Sequence, residues 1–370
     1  MKLGTFMMPS HPPERSTVDA IDFDLQYLRW ADEYGYDEAW IGEHFTAPWE
    51  PLPAPDLLIA QALRETTRIK LAPGAHLLPF HHPAELAHRV AQLDHMAKGR
   101  FMFGVGSSGL PSDWELFNID GYAGENRAMT AEALDIILRI WTAEEPFVYE
   151  GAFWTVKWNP EVQLRSLRAW LKPYQRPHPP IGVAGFSSPS PTLAMAGERG
   201  FYPLSLNLNP SYIASHWDSV LAGAARSGRT PSRADWRLVR EIFVAPTDAE
   251  AYRWSVQSHM GRMMTEYFLP LLSDFEFIKY YKHDPSVPDR EVTPDYLAKT
   301  SWVIGSPDTV AEKLAEQYEL VGGFGVLLHF QFDYFEDPEP WRQSMELLAK
   351  EVMPKLSGLV AEPAAAPAAP

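Results

Sequence analysis

Ile69-Lys-Leu-Ala-Pro-Gly-Ala-His-Leu-Leu-Pro-Phe-His-His-Pro83, continued through Leu86 to Arg100-Phe-Met-Phe-Gly-Val-Gly106, is the stretch from which the fold reads. It opens as an apolar run of strand length and passes into a loop punctuated by proline. From Ala84 to Lys98, apolar residues at Leu86, Val90, Leu93 and Met96 keep one face at helical period. Gly99 ends that helix, and Phe101 to Val105 is a second apolar run. Strand, crossover helix and strand make a parallel unit, and such units are right-handed. The loop after the first of these strands is rich in Gly, Pro and His, and in parallel α/β folds such loops carry the chemistry.

Outward from this unit the same alternation repeats. Lys2–Met8 and Tyr36–Gly42 read as strands before it, each followed by a helix, at Asp19–Tyr34 and Pro55–Glu65. After it come a helix at 124–142 and strands at 180–185, 201–206, 236–244 and 325–330. Helices are expected at 193–199, 211–226, from Asp248, at 308–320 and at 341–353. Eight strands each followed by a helix predict a (β/α)8 TIM barrel. The alternating run Phe147–Lys157, centred on Glu150-Gly151, predicts a β-hairpin inserted after the fourth helix. Residues 272–300 are polar and broken by prolines, and read as a lid-like insertion before the eighth strand. A single barrel domain is expected over 1–357, followed by a disordered tail over 358–370, dominated by Ala and Pro.

Composition narrows the function. The chain has 370 residues, 46% hydrophobic and 22% charged, as in soluble globular proteins. Its formal net charge of −16 argues against nucleic acid or an anionic membrane surface as partner, since both need a basic face. With no cysteine, disulfides, thiol nucleophiles and cysteine metal sites are excluded. No signal peptide or membrane span is recognisable, so a cytoplasmic enzyme is the expectation. The 13 Trp, 15 Tyr and 19 Phe are mostly core, with a minority left to line an apolar pocket.

Four constellations bear on chemistry. His81, His82, Glu85 and His88 have the spacing of a zinc or iron site, but Pro83 starts a helix there and a first-turn glutamate suits the helix dipole; no metal is expected. Gly104-Val-Gly-Ser-Ser-Gly109 fits a dinucleotide fingerprint, yet Pro111-Ser-Asp-Trp follows where a helix should open at once. It reads instead as a rim loop. Gly185-Phe-Ser-Ser-Pro-Ser-Pro-Thr192 places four hydroxyls before a helix, which serves either as an ordinary cap or as a phosphate cradle. His44 sits where the second strand ends, placed for acid–base work on the catalytic rim, and His329 has the corresponding place on the eighth strand.

Several stretches together resemble the bacterial luciferase-like family of flavin-dependent monooxygenases. They are Asp37-Glu-Ala-Trp-Ile-Gly-Glu-His44, Leu77-Leu-Pro-Phe-His-His-Pro83, Leu93-Asp-His-Met-Ala-Lys-Gly-Arg-Phe101, Phe103-Gly-Val-Gly106, Gly182-Val-Ala-Gly185 and Val303-Ile-Gly-Ser-Pro-Asp-Thr309. Ser112-Asp-Trp and Glu125-Asn-Arg-Ala-Met resemble the limonene-monooxygenase-type branch. The resemblance implies a (β/α)8 barrel that takes reduced FMN from a separate flavin reductase and uses O2 to oxygenate a small apolar substrate, as a homodimer. The family's active-site histidine falls on His44, and its non-proline cis peptide on Gly74–Ala75. The implied cofactor contacts are Gly74, Ala75, Ser107, Asp113, Gly185, Ser187, Ser188 and Ser190. One departure stands out: many relatives place a phosphate-holding arginine where this chain has Ser107, so either the serine loop and helix dipole suffice, or Arg165, Arg168 or another basic group substitutes. A deazaflavin-dependent oxidoreductase on the same barrel, and a metal-dependent barrel hydrolase using His44 and the 81–88 cluster, are the alternatives.

Overall fold

Every pair of neighbouring strands in the central sheet is parallel, which forces a helix into each crossover and buries both sheet faces. The computed structural model describes residues 1–159 and 167–359. In chain order its first half contains β1 (Lys2–Met7), α1 (Thr17–Tyr34), β2 (Glu38–Ile41), α2 (Pro55–Glu65), β3 (Lys70–Pro73) and β4 (His76–Leu77). Next come α3 (Pro83–Ala97), β5 (Phe103–Gly106), α4 (Pro111–Leu116), α5 (Glu125–Thr142) and the strands β6 (Phe147–Glu150) and β7 (Thr155–Trp158). The second half contains β8 (Ile181–Gly185), α6 (Pro191–Arg199), β9 (Tyr202–Ser205), α7 (Pro210–Ile213), α8 (His216–Ser227), β10 (Arg237–Arg240), β11 (Ile242–Val244), β12 (Val303–Gly305) and β13 (Val326–Phe330).

Nine strands lie in the order β3-β2-β1-β13-β10-β9-β8-β5-β4. β3 and β4 are two halves of one strand, interrupted at Gly74–Ala75, so the outer members of the order meet and the sheet closes into an eight-position barrel. A parallel bridge between Leu71 and Phe101 spans the seam. Inside, Trp40 fills the barrel: a Cβ on Gly182 would lie 2.3 Å from its ring, and one on Gly104 would lie 2.0 Å from the Pro73 carbonyl oxygen. Only glycine fits at those two places. Below the ring, Trp40 Nε1–H donates to Glu38 (2.9 Å), which takes a two-pronged ion pair from Arg237 at 3.0 and 3.1 Å.

The helices start and stop for local reasons. Ser16 caps α1 by accepting the Asp19 N–H, and Gly35 ends it at φ +86°. The hairpin β6–β7 is antiparallel and forms a sheet of its own, burying Phe147, Val156 and Trp158. Glu132 on α5 holds its turn by accepting the N–H groups of Ala152, Phe153 and Trp154.

Two elements differ from expectation. The run 236–244 is not one strand: the chain turns off the barrel at the buried Glu241, and β11 pairs with β12, an element the sequence reading did not contain. The helix expected over 211–226 breaks at Ala214-Ser215 into α7 and α8. The insertion at 272–300 carries short 3-10 turns and a helix at Pro294–Thr300, and buries Ile278, Tyr281, Val292 and Leu297. Residues 360–370 of the expected tail lie outside the described residues. Among the described residues, no helix is long and apolar enough to cross a membrane.

Candidate functional site

The carboxyl ends of β2, β3, β5 and β8 converge on one mouth. Gly74, Ala75, Gly104, Gly182 and Ala184 line a small void there, with Phe6, Trp40 and Leu204 beneath. The peptide bond Gly74–Ala75 is cis. Glycine at 74, 104 and 182 makes much of this lining backbone, and a Cβ on Gly106 would come within 3.1 Å of the Ala75 methyl. It is a shelf suited to a planar ring.

His44 stands beside this shelf at the end of β2, its side chain 17% exposed. Nδ1 lies 3.2 Å from Asp113 Oδ2. A carboxylate only accepts, so Nδ1 carries the proton. The other oxygen of Asp113 accepts the N–H of Phe45 (3.2 Å), the N–H of Thr46 (2.9 Å) and the hydroxyl of Thr46 (2.6 Å). Asp113 is buried, which opposes its charge, but His44 and Thr46 outweigh burial and hold its carboxyl below the usual range. His44 Nε2 is 3.6 Å from Glu50 Oε2. Burial works against an imidazolium, yet Glu50 and Asp113 prevail and raise the His44 pKa above 6.5. Tyr267 donates its hydroxyl to Glu50 Oε1 at 2.6 Å. Phe45, Phe80 and Phe117, each half-buried, close one side of the site with ring centroids 4.4 to 5.6 Å apart.

The serine loop after β8 divides its work. Ser190 is buried and caps α6, its Oγ accepting the Leu193 N–H at 3.3 Å while its own N–H goes to Ser219 Oγ at 2.9 Å. Ser187 is exposed and Ser188 half-buried, the latter's hydroxyl 2.7 Å from that of Ser215. The Ser188–Pro189 bond is cis. Close by, the buried hydroxyl of Tyr212 has no hydrogen-bond partner among the described residues. The Ser187 hydroxyl donates to the Pro189 carbonyl at 3.2 Å and that of Ser188 pairs with Ser215, so both would turn from these partners to meet the oxygens of a phosphate ester. Phe277 and Tyr280 of the insertion pack on Phe186, with ring centroids 5.1 and 5.9 Å away, so the insertion covers this end of the mouth. Gly185 ends β8 beneath the loop, its missing Cβ accommodating Leu193. Ser107 offers its carbonyl to Asn126 Nδ2 at 3.0 Å. Of the suggested replacement bases, Arg168 is exposed and Arg165 lies outside the described residues.

The four residues with metal-like spacing do not converge. His82 caps α3, His88 donates to the Ala84 carbonyl at 2.6 Å, and Glu85 pairs with Arg89. His81 instead turns to Glu43, Nε2 to Oε1 at 2.6 Å, and Glu43 also takes the Leu77 N–H (2.7 Å) and faces His76 Nδ1 (3.3 Å). Ligand atoms of Glu43, His76 and His81 lie within 4.8 Å of one another. Arg89, however, donates to His81 Nδ1 at 3.2 Å, which leaves Nε2 holding the proton and puts a guanidinium where a cation would be repelled. Although burial opposes its charge, Glu43 is held at a pKa of about 2 by the two histidines. It fastens the turn just after Gly74–Ala75.

His329 does not reach the rim. Its ring is buried, donating Nε2–H to the Ile242 carbonyl (3.0 Å) and facing the Tyr36 hydroxyl (3.2 Å), and burial lowers its pKa to about 4. It is a neutral packing residue against Trp341. Glu50, Tyr267 and Glu43 were not singled out in the sequence; for Glu43 its place beside His44 was the available signal.

A family model for the luciferase-like monooxygenases matches residues 1–323. The chain is 34% identical over 372 residues to 3,6-diketocamphane 1,6-monooxygenase of Pseudomonas putida, covering 96% of this chain and 98% of that one. It is 31% identical over 361 residues to limonene 1,2-monooxygenase of Rhodococcus erythropolis, covering 96% and 86%. The solved structure of the oxygenating constituent of 3,6-diketocamphane monooxygenase, a type II Baeyer-Villiger monooxygenase from Pseudomonas putida in complex with FMN, superposes with a TM-score of 0.89 over 96% of this chain and 98% of that one, at 34% identity.

Proposed function

The chain belongs to the luciferase-like monooxygenase family, and we propose that it uses reduced FMN from a separate reductase, together with O2, to oxygenate a small apolar substrate. The favoured substrate is a cyclic terpenoid-type ketone, converted to a lactone. The observation that carries this reading is His44, held on two sides by carboxylates, standing between a glycine-rich shelf and a phenylalanine wall. Reduced FMN, when bound, supplies the two electrons that let one oxygen atom enter the substrate while the other leaves as water.

This chain's residues do the rest. Gly74, Ala75, Gly104 and Gly182 present the surface on which the flavin ring would lie, and Ser187 and Ser188 the hydroxyls for its phosphate. Ser190 holds that loop to α6. Phe45, Phe80 and Phe117 give an apolar substrate a dry surface and keep water from the mouth. His44, its Nδ1–H fixed on Asp113, retains the ring orientation and the Nε2 proton needed at an oxygen that develops charge. The test supplies FMN, NADH and a generic flavin reductase in air with a panel of bicyclic ketones. A product heavier by one oxygen atom supports the reading; hydrogen peroxide as the sole product across the panel overturns it.

A further inference from the structure

Glu50 lies in the loop after β2 and is 3% exposed. One carboxylate oxygen is engaged by the Tyr267 hydroxyl at 2.6 Å, and Tyr267 is itself stacked on Trp49 with centroids 5.8 Å apart. The other, Oε2, is buried with no hydrogen-bond partner among the described residues. It faces His44 Nε2 across 3.6 Å. A carboxylate left unpaired in a dry site is costly unless it takes a proton or stands against a cation. The other ring nitrogen of His44 is already committed to Asp113, so Nε2 is the end that exchanges.

The charged and titratable groups around this pair come from several elements. Asp113 faces it from α4, Glu43 from the preceding residue of the chain, and Tyr267 from the turn at Met264–Phe268. His11, from the loop after β1, faces Glu50 but is occupied by Asp24 and Asp333 at 3.2 and 2.9 Å. Asp113 and Glu43 have hydrogen-bond donors on both oxygens, which leaves Glu50 Oε2 as the carboxylate oxygen here without one.

We propose that Glu50 is the positioning residue of His44, the two sharing one proton so that His44 remains an imidazolium around neutral pH. The interpretation of His44 as the working group rests on the function proposed above; the test of Glu50 does not. In the full chain labelled with 15N-histidine, the His44 ring is titrated by NMR. In Glu50→Gln its midpoint should fall by at least one pH unit, a tenfold loss of proton affinity, and Glu50→Asp should restore it. If Glu50→Gln does not fold, Tyr267→Phe serves: loss of that donor makes Glu50 easier to protonate and should lower the His44 midpoint in the same direction. The basic limb of the pH profile for coupled product should move with the midpoint in kcat rather than KM. A shifted midpoint supports the proposal whether or not oxygenation is detected. An unchanged midpoint in a folded Glu50→Gln variant overturns it, even in an enzyme that oxygenates.

Discussion

Asp113 Oδ2 sits 3.2 Å from His44 Nδ1, while its other oxygen gathers the backbone of Phe45 and Thr46, so one carboxylate fixes both the tautomer of the histidine and the loop that carries it. Asp113→Asn should therefore lower the His44 pKa and leave the ring free to present the wrong nitrogen. His44→Ala should still bind flavin and still consume oxygen, but release it mostly as hydrogen peroxide. Acid–base groups contribute on the order of 10²–10⁴-fold, so product per oxygen should fall at least about 100-fold in His44→Ala and by a smaller factor in Asp113→Asn. Near-wild-type coupling in His44→Ala would return that residue to a structural role.

The serine loop separates binding from stability. Ser187→Ala with Ser188→Ala removes two hydroxyls that could turn to a dianion, each worth about 1.5–3 kcal/mol, and should weaken FMN binding at least about tenfold in an equilibrium titration. Ser190→Ala removes a helix cap and should cost about 1 kcal/mol in urea unfolding. The opposite pattern, with affinity lost in Ser190→Ala and kept in the double variant, would move the phosphate elsewhere.

How much of this was legible in the sequence depends on range. The span of α2, Pro55–Glu65, could be read because a proline start and an apolar face lie within a few residues of each other. The break in the run 236–244 could not, because two short apolar pieces joined by Arg240-Glu241 have the same look as one strand or two; Glu241 in the middle was the mark of the turn. His44 was visible at the end of its strand. Asp113 was expected at the site only through the family resemblance, and Glu50 with its donor Tyr267 was not expected, since contacts 217 residues apart along the chain, as between Glu50 and Tyr267, leave no local pattern. His329 occupied the expected strand, but its register turned the ring into the helical layer.

His11 supplies a pH dependence of stability independent of catalysis. Burial opposes its charge, but Asp24 and Asp333 raise its pKa from 6.5 to about 9. A raised folded pKa stabilises fully below pH 6.5 and is lost as pH climbs through about 9, a difference on the order of 3 kcal/mol. Stability from urea unfolding should thus decline between those limits. His11→Gln should be less stable at pH 6 and should show a flatter profile over the same range. Parallel profiles in the two proteins would contradict the ion-pair assignment.

The most direct measurement of the central claim is a single turnover with chemically reduced FMN, 18O2 and a bicyclic ketone, without any reductase. The account predicts that one 18O atom enters the organic product for each flavin oxidised, with the second leaving as water. Label found only in hydrogen peroxide, with the ketone recovered unchanged, would contradict it.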